Sequence, residues 1–244
     1  MLFFKAWRES RIRFLLSAAA LAGMCGMFVY LQAEIKSQDG ISGSYISYIW
    51  RFVYGGYMRE FFLVMVLLLG VGGLLRERAY GTAVFTLVLP LHRWQIVAAR
   101  AIVGVLEVAG LALVPAIIVP ASSRVMGASY PISQALMFAV LWTVGGMAVF
   151  SMAFLFSATL AGEYSAPVAS LVGLLAYSGL VQLPVFRKYP VDLHDIMSGA
   201  EMPYFDSNSS LLIGPFPWTV VTVVVLVGLC LLALSGIITR RRDF

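Results

Sequence analysis

The chain has 244 residues, 61% of them hydrophobic and 12% charged, with mean hydropathy +0.90 and a formal net charge of +5. So few charges cannot cover that much apolar surface in water, which excludes a soluble globular domain and makes lipid the main solvent. The positive balance is not organised as a basic face interleaved with stacking aromatics, so nucleic acid is not an expected partner.

In chain order, residues 1–13 interleave Lys5, Arg8, Arg11 and Arg13 with Phe3, Phe4, Trp7 and Ile12. The pattern predicts an interfacial amphipathic helix, with Trp7 at headgroup level and the basic groups facing phosphate. A first span is expected over 14–31. Its apolar run is too long for a secretory signal core and no small-x-small site closes it. The polar, Gly- and Ser-containing residues 32–51 read as a loop. A second span is expected over 52–75, with Arg59 and Glu60 near its outer end, and a charged insert over 76–95. The third span, 96–119, is expected to end near Pro115 and Pro120, and 121–133 to form a second outer loop. A fourth span follows over 134–160. A short connection holds Gly162, Glu163 and Tyr164 before a fifth span over 165–183. Residues 184–213 carry four acids and two bases. A sixth span is expected over 215–238, with Arg240, Arg241 and Arg242 directly after it.

The expected fold is thus a single all-α membrane domain over 1–244 with six transmembrane helices. Backbone amides in lipid must bond internally, and the alternating short segments of a barrel are absent. Six spans put both termini on one side. Eleven of the 17 basic residues fall in the N-terminal segment, the 76–100 region and the tail. That bias places both termini in the cytoplasm of a plasma (inner) membrane protein.

Chemistry-bearing motifs are few. The three lysines, Lys5, Lys36 and Lys188, do not follow a glycine, so a phosphate-binding loop of the Walker type is excluded and this chain binds no nucleotide in that way. There is no His-Glu-x-x-His pair and no Gly-x-Ser-x-Gly turn, His92 and His194 fall in different loops, and no catalytic residue or metal ligand is assigned. Cys25 and Cys230 sit in apolar runs without metal-ligand spacing and read as small buried residues.

The insert is the most informative stretch. From Glu77 onward, Tyr80, Val84, Leu87 and Leu91 fall on one stripe at helical spacing, and Pro90 ends the helix. Glu77, Gly81 and Thr82 in Glu-x-x-x-Gly-Thr order, then Leu87 and Pro90 in Leu-x-x-Pro order, then Arg93 and a new span, resemble the permease subunits of type-2 ATP-binding-cassette (ABC) exporters. The resemblance extends over essentially the whole plan of the chain. It implies an N-terminal elbow helix at 1–13, a cytoplasmic coupling helix within 76–95 and short outer re-entrant helices within 184–213. It also implies a separate ABC nucleotide-binding subunit that holds ATP and Mg, and a second permease copy as homodimer or sister subunit. The coupling residues would be Glu77, Arg78, Tyr80, Gly81, Thr82, Val84, Leu87 and Pro90, with Glu163 in a second, smaller contact.

Glu107 is the other outlier, about 12 residues or roughly 18 Å into the third span. An ionisable group there faces protein or water, either in an assembly contact with a neighbouring polar group or Arg100, or in a pathway for a cationic substrate. Arg59 and Glu60 are the further candidate pathway residues. Gly70, Gly72, Gly73, Gly104, Gly145 and Gly146 read as helix-packing positions. Trp50, Tyr54, Tyr57, Trp142 and Trp218 read as interface belts. Three other classes remain: a non-transporting membrane scaffold of an ABC-type machine, an ion-coupled secondary transporter, which would want more intramembrane charges, and a membrane enzyme.

Overall fold

The computed structural model describes residues 2–38, 44–71, 93–160, 164–185, 192–200, 205–207 and 209–241. Its helices are α1 (Leu2–Tyr30), α2 (Gln32–Gln38), α3 (Tyr45–Ile49), α4 (Tyr57–Gly70), α5 (Arg93–Val125), α6 (Ile132–Thr159), α7 (Ser165–Val181), α8 (Leu193–Ser198) and α9 (Trp218–Arg241), with a π-helical turn at Trp50–Tyr54. Two short strands, β1 (Phe205–Asp206) and β2 (Leu211–Leu212), pair antiparallel with Phe205 opposite Leu212. Five stretches, Leu2–Tyr30, Tyr45–Gly70, Trp94–Val125, Ile132–Thr159 and Trp218–Arg240, are long and apolar enough to cross a bilayer. The architecture is that of an all-α membrane protein.

Several boundaries differ from those expected. The break anticipated at residue 13 is not there: α1 runs unbroken for 29 residues, because no glycine or proline interrupts the chain before Gly23. The segment 32–51 is not a loop through its described residues, since α2, α3 and the start of the π turn lie within it. The second crossing therefore starts at Tyr45 and bends at Gly55–Gly56. A side chain at Gly56 would overlap the Arg51 carbonyl, so the close approach requires glycine.

Helix α5, which forms the third expected span, does not stop at Pro115 or Pro120 but runs 33 residues through both. Each proline forfeits one backbone hydrogen bond, a loss that surrounding helices can absorb inside a bundle. The fifth apolar helix has 17 residues, shorter than the others. Within 184–213 the described residues form one short helix and the β1–β2 ladder, not helices alone. Gly199 closes α8 with a left-handed φ of 72° and donates its N–H to the Asp195 carbonyl at 2.7 Å.

Helix α6 is apolar on all sides and sits centrally, against α4, α5, α7, α8 and α9. Phe138, Trp142 and Phe150 on α6 are fully buried. Tyr54 lies 4.5 Å from Phe138, ring to ring, and Phe62 lies 4.8 Å from Trp142. Tyr54 and Trp142 therefore belong to the core rather than to an interface belt, whereas Tyr57 and Trp218 are exposed. Cys25 is buried as expected, but Cys230 is exposed. In the turn between α5 and α6, burial pushes the Tyr130 hydroxyl well above its ordinary pKa.

Glycine permits the close packing at four of the six positions anticipated. A methyl at Gly70 would stand 2.7 Å from Ala153 Cβ, and one at Gly146 would stand 2.8 Å from Val108 Cγ1 and 2.9 Å from the Phe62 ring. Gly104 and Gly145 meet Phe150 and Met197. Gly72 and Gly73 lie outside the described residues.

Helix α9 shows most directly what solvent the fold needs. Val223, Leu226, Val227, Leu229, Leu234 and Ile237 are each 45–55% exposed, while Ser235 and Thr239 are buried. Water would not tolerate such a surface, and lipid does.

Candidate functional site

Of the candidate polar residues, the described ones, Arg59, Glu60 and Glu107, fall into two clusters, one at either end of α4. The first forms where α4 begins. Arg59 Nη1 donates to the His194 carbonyl at 2.8 Å, and its Nη2 and Nε donate to Glu60 Oε1 at 2.7 and 3.1 Å. Glu60 Oε1 also lies 3.1 Å from His194 Nδ1, and His194 Nε2 lies 3.0 Å from Ser178 Oγ. Glu60 occupies the first turn of α4, where the helix dipole favours a carboxylate.

Local sequence explains why His194 arrives there. Asp192 caps α8 by accepting the His194 N–H at 2.8 Å, and Tyr177 on α7 accepts the Leu193 N–H at 3.0 Å. Trp50 Nε1 donates to the Ser198 carbonyl at 3.0 Å, and Met197 seats against Gly145 of α6. Helix α8 is thus held by the π turn, α4, α6 and α7 together.

Glu60, His194 and Ser178 stand in the order of an acyl-transfer relay, carboxylate to imidazole to hydroxyl. The surroundings do not complete one. Ser178 sits in the last turn of α7, with its hydroxyl also 3.0 Å from the Leu174 carbonyl, and neighbouring amides are used within the helix. Among the described residues no pair of free N–H groups is seen beside Ser178 for a developing oxyanion, which is the largest contribution such a site makes. The chemistry of the cluster is that of a latch: Arg59 and Glu60 bind α8 to the start of α4.

The second cluster forms at the far end of α4, about 18 Å along the helix from the first. Arg13 of α1 donates from Nη1 to the carbonyls of Leu68 (3.2 Å) and Val71. Ser10, one turn earlier, donates its hydroxyl to Glu107 Oε1 of α5. Glu107 is 3% exposed. Arg100 does not pair with it; Arg100 Nη2 bonds Glu9 at 2.8 Å, and Lys5 lies 3.8 Å from the same carboxylate. The Glu107 partner is therefore the neutral polar group of the two alternatives. Arg13 is close enough for its charge to act on Glu107.

Glu107 and the Arg59–Glu60 pair accordingly do not line one common site. The partnerships of Ser10, Ser178, Tyr177 and His194 are not legible in the sequence, because a lone hydroxyl on an apolar helix, or a lone histidine far along the chain from its partner, carries no motif. Glu77, Arg78, Tyr80, Gly81, Thr82, Val84, Leu87, Pro90 and Glu163 lie outside the described residues. Among the described residues no group of three His, Cys, Asp or Glu side chains could hold a metal ion.

Comparison with protein-family models and with curated proteins finds no match for this chain.

Proposed function

We propose that this chain is the membrane-spanning permease subunit of an ATP-driven ABC exporter, moved by a separate nucleotide-binding subunit that grips the 76–95 segment. The observation that carries the reading is the order Glu77, Gly81, Thr82, Leu87, Pro90 and Arg93 placed between two apolar helices of crossing length. The arrangement of the flanks supports it. Val71, at the end of α4, bonds Arg13; Trp94, at the start of α5, packs on Gly236 near the end of α9; and Arg100 bonds Glu9. The basic residues of the first half of α1, Arg100 near the start of α5, the basic end of α9 and both flanks of the insert therefore gather at one end of the bundle, while Arg124 lies in the last turn of α5 at the other; the richer end is the one that the distribution of positive charge assigns to the cytoplasm.

In this reading α7 supplies the sixth crossing. Its 17 residues cover about 25 Å, close to the hydrocarbon thickness of a thin bilayer. The elbow is the first turns of α1 rather than a separate helix. The partner holds ATP and Mg, and a second permease copy completes the pathway. Closure of the ATPase pair would tilt α4 and α5, which flank the insert, and the Arg59–Glu60–His194 latch would carry that tilt to α8.

Glu77→Ala removes a charged grip, and Gly81→Pro breaks the coupling helix. Both variants are expected to uncouple the partner's ATP hydrolysis from transport in the native complex. Full transport by both at normal expression overturns the proposal.

A further inference from the structure

Between the first half of α1 and the middle of α5 lies a cleft of about 730 Å³, lined by Phe3, Phe4, Trp7, Phe14, Ile102, Val103, Leu106 and Glu107. Four of the eight are aromatic, and Glu107 is the charged one. Trp7 and Phe14 sit one above the other, 5.5 Å apart and tilted by 58°. The mouth is set by exposed side chains, Phe4 at 69% and Leu106 at 66%, whereas Glu107 is at the floor.

The charge balance around that floor decides what the cleft can hold. The cationic groups nearest on α1 and α5 have other partners: Arg13 bonds two α4 carbonyls, and Lys5 and Arg100 lie against Glu9. Among the described residues the hydrogen-bond partner of Glu107 is the Ser10 hydroxyl, a neutral donor. Arg13 keeps its charge and acts on Glu107 from a distance, but its guanidinium is held on the α4 carbonyls and not in an ion pair with the carboxylate; a buried carboxylate hydrogen-bonded to a neutral hydroxyl, at the bottom of an apolar, aromatic-walled cleft, favours a positive guest. Aromatic faces attract cations through their quadrupole, most strongly where water is excluded, and organic ammonium groups are the usual guests of such walls. An anion would meet the carboxylate at the floor, and a neutral apolar guest would gain nothing from it.

We propose that this cleft is a binding site for a lipophilic organic cation, entered sideways from the bilayer, with Glu107 as counter-charge and Trp7 and Phe14 as the aromatic wall. The site requires no ATPase, so its failure and the failure of the permease reading are separable. A phosphatidylcholine headgroup shares the same chemistry; the free cation is favoured because the walls are apolar and aromatic from mouth to floor.

The test uses the purified full chain in phosphatidylglycerol nanodiscs, with tetraphenylphosphonium as probe and empty discs as blank. Quenching of tryptophan fluorescence and equilibrium dialysis read binding. The expected result is saturable binding, weakened about tenfold by Glu107→Gln, a change of roughly 1.4 kcal/mol. Leu106→Trp fills the mouth from an exposed position and is expected to abolish binding even if Glu107→Gln fails to fold. Tetraphenylborate, of the same shape and opposite charge, is expected to show no saturable binding. Unchanged affinity in folded Glu107→Gln or in Leu106→Trp overturns the proposal, as does saturable borate binding of equal strength. Loss of the probe's binding in phosphatidylcholine discs assigns the cleft to the lipid headgroup and also overturns it.

Discussion

Replacing Gly146 by alanine probes the packing on which the whole bundle depends. A methyl there would stand 2.8 Å from Val108 Cγ1 and 2.9 and 3.0 Å from two atoms of the Phe62 ring. Comfortable carbon contacts are about 3.5–4.0 Å, so the overlap is close to 1 Å on two sides. Neither neighbour can yield easily: Val108 and Phe62 are fully buried, and Val108 is β-branched. Overpacking of this kind costs about 1–3 kcal/mol. Against it stands the helix-propensity gain of Gly→Ala, up to about 1 kcal/mol. Gly26 on α1 has nothing within 4 Å of the position of a Cβ, so Gly26→Ala keeps the gain and lacks the clash. The difference between the two variants cancels propensity and isolates the overlap at about 1–3 kcal/mol in favour of Gly26→Ala. Unfolding by sodium dodecyl sulfate in mixed micelles, followed by tryptophan fluorescence, measures that difference. Equal stability of the two, or greater stability of Gly146→Ala, would refute the packing of α6 against α4 and α5.

Arg59→Ala removes donors from the His194 carbonyl and from Glu60; unfastening α8 is expected to cost about 1–3 kcal/mol locally, read as faster amide exchange over 193–198, and unchanged exchange there contradicts the latch. Tyr54→Phe removes a buried hydroxyl that has no hydrogen-bond partner among the described residues, so stability is expected to hold within about 0.5 kcal/mol. Tyr48→Phe loses a 2.9 Å bond to the Phe28 carbonyl and is expected to cost about 1 kcal/mol in the same unfolding assay. A larger loss for Tyr54→Phe than for Tyr48→Phe contradicts the hydrogen bonding of this core.

The solvent class was legible from composition because lipid-facing surface must be apolar over whole helices, as α9 displays. Helix positions followed from apolar runs, and the packing role of Gly70, Gly104, Gly145 and Gly146 from their lack of side chain. Helix ends were less legible. Pro115 and Pro120 read as stops by their local chemistry, yet the bundle carries α5 through them. The polar-looking run before the second crossing hides α3 and the π turn, whose Tyr48, Ile49 and Phe52 are buried only because of what packs on them. The pairing of Glu60 with His194 spans 134 residues, and that of Ser10 with Glu107 spans 97, so no local pattern announces either. Tyr54 and Trp142 looked like interface anchors because aromatic type alone does not distinguish a belt from a core.

The central claim is that force from an ATP-binding polypeptide enters through the segment after the second crossing, and a photo-crosslinking side chain placed at Tyr80 in native membranes tests it most directly. The expected product is a covalent adduct between this chain and a polypeptide that is itself labelled by azido-ATP. Labelling of Tyr80→Cys by a membrane-impermeant maleimide from outside intact cells would contradict the claim.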